Sequence, residues 1–232
     1  MTSFDDVRLV IFDCDGVVAD SEPLATRVLQ EGLAGRGVTL TLDDVVDRFL
    51  GRSPETIATS LKSEFGLVFD AHDTEAMQQR LFDLFRAELR AIDGIEALIA
   101  GLPVPYCLAS SSQMARIDLA LQSTGLSSYF AGRIFNAAMV ARGKPAPDLF
   151  LHAAHAMGVA PAHAIVIEDS PAGIEAAKRA GMRVIGFTGG GHATGAGHRA
   201  AVAAAAPDHI TDSMAEIAAM LRFGPERRIA GA

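Results

Sequence analysis

The stretch VRLVIFDCDGVVADSE, residues 7–22, decides the fold. A short run rich in β-branched residues, VRLVIF, passes directly into Asp13, with Asp15 and Gly16 just behind. The run has strand length, and its near-continuous apolar character fits a strand covered on both faces. Neighbouring carboxylates raise each other's pKa unless positive charge stands between them. Two aspartates where a buried strand ends therefore ask for a cation or a phosphate chemistry.

Four more runs of strand length follow: VPYCLA (104–109), GRIFNA (132–137), AIVI (164–167) and RVIGF (183–187). Helical patterns lie between the later ones. SQMARIDLALQSTG stops at Gly125, APDLFLHAAHAMG at Gly158 and SPAGIEAAKRAG at Gly181, each glycine supplying the left-handed stop. Strands alternating with helices predict parallel βαβ units with helices on both faces, a Rossmann-like α/β core. Residues 13–103 are too many for one crossover helix. Inside that interval only helices are read: 22–35, then TLDDVVDRFLG with Thr41 as N-cap, SPETIATSLKSEFG with Ser53 as cap, and a fourth near 73–90. Met77, Leu81, Leu84, Phe85 and Leu89 recur at helical spacing there, a core stripe. The expected domains are an α/β core of residues 1–18 and 91–232 and an inserted helical cap of residues 19–90.

The chain has 232 residues, half of them hydrophobic, enough for a sizeable core. Its formal charge is -8, and no Lys/Arg-rich run occurs, which argues against nucleic acid as a partner. Cys14 and Cys107 each sit in an apolar run and read as buried thiols rather than a disulfide framework. MTSFDD lacks the basic, apolar pattern of a signal peptide, and no run approaches a membrane span. A cytoplasmic monomer with no membrane partner is expected. GGGHATGAGH (189–198) lacks the lysine and spacing of a P-loop. It reads as a mobile loop after the fifth strand, a reading favoured over His192 and His198 as metal ligands. HRAAVAAAAPDHIT and SMAEIAAMLR read as closing helices around a short edge strand, and FGPERRIAGA as a tail.

In a parallel sheet, ligands bind at the carboxyl ends of the strands. Those ends carry Asp13 and Asp15, Ser110 in ASSS, Lys144 in GKPAPD, and Glu168 with Asp169. Singly, each has an ordinary explanation: Ser110 as a helix cap, Lys144 as a solvated loop residue, Glu168-Asp169-Ser170 as a helix start. After four successive strands, the set suits phosphoryl transfer. Mg²⁺ takes carboxylate oxygens, and Asp13, Asp169 and the region of Asp15 can supply them, with Glu168 direct or through water. Ser110 and Lys144 would hold phosphate oxygens. Asp13 would be the nucleophile and Asp15 the acid and base.

These residues resemble the haloacid dehalogenase superfamily: DCDGVVADSE as the first motif, Ser110 as the second, Lys144 as the third and EDSPAGIEAAKRAG as the fourth. The cap placement is similar to the β-phosphoglucomutase and phosphoglycolate phosphatase branch. The resemblance implies Asp13 as nucleophile, Asp15 as acid and base, and Mg²⁺ on Asp13, the Asp15 backbone and Asp169. It also implies a cap that closes over the site. Dehalogenation is disfavoured, since dehalogenases of the superfamily need neither a second aspartate nor magnesium. β-Phosphoglucomutases carry a histidine where this chain has Ala25, an arginine where it has Pro54 and a lysine where it has Gln113. Those departures favour a phosphatase of small phosphate esters, sugar phosphates first, similar to the 6-phosphogluconate phosphatases, over a mutase. Gly16, Glu22, Gly51, Arg52 and Ser111 are the substrate-binding candidates, with Arg52 in the cap loop FLGRSPETI as the selecting residue. A receiver-type signalling module would gather similar groups. It would be shorter, without the helical insertion, and its acid pair would precede a separate phosphoacceptor strand.

Overall fold

The computed structural model describes residue 4 and residues 6–49, 54–194 and 196–221. Strands β1 (Leu9–Phe12), β2 (Tyr106–Ser110), β3 (Ile134–Asn136), β4 (Ala164–Glu168), β5 (Arg183–Phe187) and β6 (His209–Thr211) form one sheet. Its order is β3-β2-β1-β4-β5-β6, with every neighbouring pair parallel. β1 is central, and the strand order reverses beside it, between β1 and β4. A doubly wound sheet opens its ligand crevice at such a reversal.

Alternation along β1 explains the two helical layers. Val10 and Phe12 join one buried cluster with Ile95, Ile99, Ile117 and Ile217. Leu9 and Ile11 join the other, with Leu149, Phe150, Ile174 and Ala177. The first group comes from α5 (Ile95–Gly101), α6 (Met114–Ser123) and α11 (Met214–Met220). The second comes from α8 (Asp148–Ala156) and α9 (Pro171–Arg179), while α7 (Ser127–Phe130) follows α6 and α10 (Ala196–Ala204) precedes β6. Cys14 and Cys107 are buried free thiols. Burial pushes Cys107 up to about 12. No helix among the described residues is long and apolar enough to cross a membrane.

Between β1 and β2 lie α1 (Glu22–Gly35), α2 (Leu42–Phe49), α3 (Pro54–Phe65) and α4 (Ala71–Glu88). The chain leaves and returns along two adjacent segments. Ala19 and Ala91 form an antiparallel bridge, Asp20 N–H donates to Arg90 O at 3.0 Å, and Ile92 N–H donates to Val18 O at 3.0 Å. The far half of the insertion has its own small core of Leu33, Val45, Phe49 and Leu61. Its near half shares the main core through Val28, Leu81, Leu84, Phe85 and Leu89, so part of the expected stripe on the fourth helix faces the sheet side.

Local chemistry sets the helix starts. Asp44 N–H donates to Thr41 Oγ1 at 3.1 Å and Asp44 Oδ2 accepts from Thr41 N–H at 2.9 Å, so Thr41 caps α2 as expected. The fourth helix begins at Ala71, earlier than the expected 73, because Asp70 and Asp73 cap one another reciprocally. The third strand covers only Ile134–Asn136 of the expected 132–137. Ser110 does not cap α6, whose N-cap is Gln113. The expected cap Ser53 and the expected tail lie outside the described residues.

Phe85 joins insertion to core: it is fully buried, and the Arg116 guanidinium stands 5.6 Å from its ring centroid. Phe85→Ala is expected to lower the unfolding free energy by about 3–5 kcal/mol, read as a shift of the urea midpoint at unchanged slope. A loss below about 1 kcal/mol would mean that the insertion is anchored elsewhere.

Candidate active site

β1 delivers Asp13 to the crevice, and register fixes it there. Asp13 N–H donates to Ile167 O of β4 at 3.0 Å. Lys144, in the loop before α8, reaches across to the same place. Its Nζ donates to Asp13 Oδ1 at 2.5 Å, to Glu168 Oε1 at 2.8 Å and to Ala109 O at 3.2 Å. All three protons of the ammonium are thereby used. Glu168 accepts with its other oxygen from Ser170 N–H at 2.7 Å and from the Ser170 hydroxyl at 2.9 Å. A side chain at Gly173 would strike the Glu168 carboxylate, which explains the glycine in the first turn of α9. The same Ser170 caps that helix, accepting from Gly173 N–H at 3.0 Å.

Asp13, Glu168 and Asp169 are all buried, and the one ammonium among them, Lys144, pairs with Asp13 and Glu168. The cluster therefore carries two surplus negative charges when all three acids are ionised. Burial drives Asp13 well above the ordinary carboxyl range; Lys144 opposes this, and Glu168 and Asp169 add to it. Asp169 is driven up by burial and by Glu168 and Glu22. For Lys144 the attraction of Asp13 and Glu168 outweighs burial, so it stays protonated. Oxygen donors with a surplus of two charges suit a hard dication. Gly16 keeps the space beside them clear: it sits at φ 77°, and a Cβ there would collide with the Asp169 carboxylate.

Asp15 is held differently. Arg116 of α6 donates to its Oδ1 through Nη2 at 2.7 Å and Nε at 3.2 Å. Ser21 Oγ donates to Oδ1 at 2.5 Å and Ser112 Oγ to Oδ2 at 2.6 Å. Burial works against ionisation of Asp15, but Arg116 and the two hydroxyls outweigh it and hold the carboxyl below its usual range. Arg116, Ser112 and Ser21 were not among the residues expected from sequence. ASSS offers a signal for Ser112, whereas Arg116 reads only as a polar position on a helix.

Ser110 is buried at the end of β2, where its Oγ accepts from Ser112 N–H at 3.0 Å. Ser111 is exposed. Glu22 opens α1 and lies 4.0 Å from Arg116, on the rim of a cavity of about 660 Å³ within the insertion. Leu29, Val45, Phe49, Ile57 and Phe69 line much of that cavity. Gly51 and Arg52 lie outside the described residues. The glycine-rich segment differs from the loop expected there. Residues Gly191–Thr194 fold into a 3-10 turn, tied down by Gly191 N–H donating to Asp20 Oδ1 at 2.8 Å, with His192 buried.

A family model for haloacid dehalogenase-like hydrolases matches residues 7–181. The chain belongs to that family. Its 6-phosphogluconate phosphatase relative from Escherichia coli (strain K12) is 31% identical over 187 residues, covering 80% of this chain and 85% of the relative. Fructose-1-phosphate phosphatase YqaB of the same organism is 32% identical over 182 residues, covering 76% of this chain and 94% of its own. Among solved structures, a conserved haloacid dehalogenase-like protein of Agrobacterium tumefaciens str. C58 superposes with a TM-score of 0.84 at 36% identity, covering 93% of this chain and 100% of that one. This haloacid dehalogenase-like hydrolase is a phosphoric monoester hydrolase.

The raised carboxyls make a pH prediction with a definite sign. A carboxyl whose folded pKa is raised binds its proton more tightly when folded. Its full stability is present below the unfolded value, near 3.9 for Asp, and declines as pH rises through the raised folded value. Without divalent cations, Asp169→Asn should therefore stabilise the protein at neutral pH by on the order of 1 kcal/mol, or about 2–4 °C in Tm. Added Mg²⁺ should raise the Tm of the parent and not of the variant. A variant less stable than its parent in chelator would contradict the charge surplus.

Proposed function

We propose that the chain is a Mg²⁺-dependent phosphatase of small phosphate esters, sugar phosphates first, working through an aspartyl phosphate. The observation that carries the reading is the buried cluster at the strand reversal: Asp13 against Lys144, with two surplus negative charges beside it. Asp13, Asp169 and the backbone of Asp15 would hold Mg²⁺, with Glu168 acting directly or through water. When bound, the ion would neutralise charge between an anionic nucleophile and an anionic phosphate.

Asp13 attacks phosphorus, the ester oxygen departs with a proton from Asp15, and the phosphoryl group rests on Asp13. Asp15 then takes a proton from water, which attacks the aspartyl phosphate and releases inorganic phosphate, restoring Asp13. Lys144 and Ser110 hold phosphate oxygens. Asp15 under Arg116 is in the ionised form that serves the second half of this cycle. Serving the first half requires Arg116 to release it; Ser21, in the segment that leads into the insertion, donates to the same carboxylate. Residues 19–90 act as the closing cap, with Arg52 as the selecting residue of its loop.

The mutase alternative is weakened at two described positions. Ala25 lines the cap cavity without a polar group, and Gln113 stands exposed at the start of α6. The names of two relatives, a 6-phosphogluconate phosphatase and a fructose-1-phosphate phosphatase, support sugar phosphates as the substrate class. The apolar lining of the cap cavity supports a second reading, in which the ester carries an apolar face as well.

Phosphate release should be measured over 6-phosphogluconate, hexose 1- and 6-phosphates, phosphoglycolate, nucleoside monophosphates and aromatic esters, with Mg²⁺ and with chelator. Release confined to sugar esters and lost in chelator is the expected outcome. Lower KM for aromatic esters would favour the second reading. Conversion of β-glucose 1-phosphate to the 6-phosphate without release would restore the mutase. Asp13→Asn should reduce turnover by at least about 10³-fold; an unchanged rate would remove the nucleophile assignment. Arg52→Ala should raise KM for the preferred ester with little effect on poor ones.

A further inference from the structure

The 3-10 turn after β5 and the helix α10 behind it bring two imidazoles to the edge of the acidic cluster. His192 is 4% exposed, and its Nε2 lies 2.9 Å from Asp169 Oδ2. The alignment does not make a hydrogen bond, and neither ring nitrogen has a hydrogen-bond partner among the described residues. The His198 ring, from α10, stands edge-on to His192 with centroids 4.7 Å apart. Its Nε2 is buried and also without a hydrogen-bond partner among the described residues. One oxygen of Asp169 and one nitrogen from each histidine lie within 4.8 Å of one another.

Local packing is built around this geometry. A Cβ on Gly16 would come within 2.8 Å of His192 Cε1, and a Cβ on Gly190 within 2.7 Å of the same atom. The ring is thus seated between two glycines, and Asp20 fixes the turn that carries it. Buried nitrogens without partners cost free energy. Facing one carboxylate, they make a three-point donor set, the number of protein ligands that an open Zn²⁺ site uses. One carboxylate and two imidazoles are a poor match for Mg²⁺, which prefers oxygen. They are a good match for Zn²⁺, Co²⁺ or Ni²⁺.

We propose that Asp169, His192 and His198 form a transition-metal site of the Zn²⁺ class that shares Asp169 with the oxygen-lined Mg²⁺ position. Asp169 then joins two unlike cation positions, and the nitrogen ligands come from the turn and the helix α10 outside the four motifs of the family. The inference is independent of the substrate reading, because metal binding is measured without any phosphate ester.

The test is equilibrium dialysis of the full chain against Zn²⁺ and against Co²⁺ in millimolar Mg²⁺, with the visible spectrum of bound Co²⁺ as a second readout. One ion per chain is expected, with a Co²⁺ spectrum showing nitrogen ligation. Affinity should fall at least about ten-fold in His192→Ala and in His198→Gln. Complete displacement by Mg²⁺, or the same affinity in both variants, would overturn the site. Should His192→Ala fail to fold, the partly exposed His198→Gln carries the comparison. Zn²⁺ should also shift the imidazole proton resonances of His192 and His198 in the parent chain, and unshifted resonances would count against the proposal.

Discussion

The structure depends on one ammonium group. Lys144 is buried among Asp13, Glu168 and the Ala109 carbonyl, and without it three buried carboxylates would face one another uncompensated. Removing one partner of such an arrangement costs about 3–5 kcal/mol. The placement of Lys144 thus constrains the loop before α8, the end of β4 and the end of β1 together. Its single charge leaves the cluster short by two, and the chemistry follows from that shortage. A dication, as in the proposed function, would complete the balance.

Much of this was legible in the sequence. The β-branched run into Asp13 predicts a strand buried on both faces, and the strand-end residues predict the crevice, because strand ends of a parallel sheet converge by construction. Helix ends were legible where local chemistry sets them, as at Thr41 and Ser170. Contacts between distant elements were not. Arg116 meets Asp15 across 101 positions of chain, and only the packing of α6 beside β1 brings them together. His192 likewise looked like a loop residue. Its burial depends on Asp20 and on the absence of side chains at Gly16 and Gly190.

Asp13 and Asp15 illustrate how environment divides like residues. They are two positions apart on one turn. Asp13 faces other acids and is pushed toward the neutral form, whereas Asp15 faces Arg116 and two hydroxyls and is pulled toward the ionised form. Cation binding reverses the first tendency and leaves the second untouched. The two roles assigned to the pair follow from their neighbours rather than from their own chemistry.

The paired segments at Ala19 and Ala91 have a consequence for how such a molecule can change over time. Because the insertion begins and ends at two adjacent, paired segments, its length hardly affects the cost of closing it: doubling a flexible loop adds only about 0.6 kcal/mol. The sheet can therefore carry a larger, smaller or differently shaped insertion without altering the register that holds Asp13. The size of the insertion and the placement of the strand-end residues are thus open to separate revision. Residues 19–22 are the exception. Ser21 touches Asp15 and Asp20 holds the His192 turn, so any replacement must keep that short collar intact.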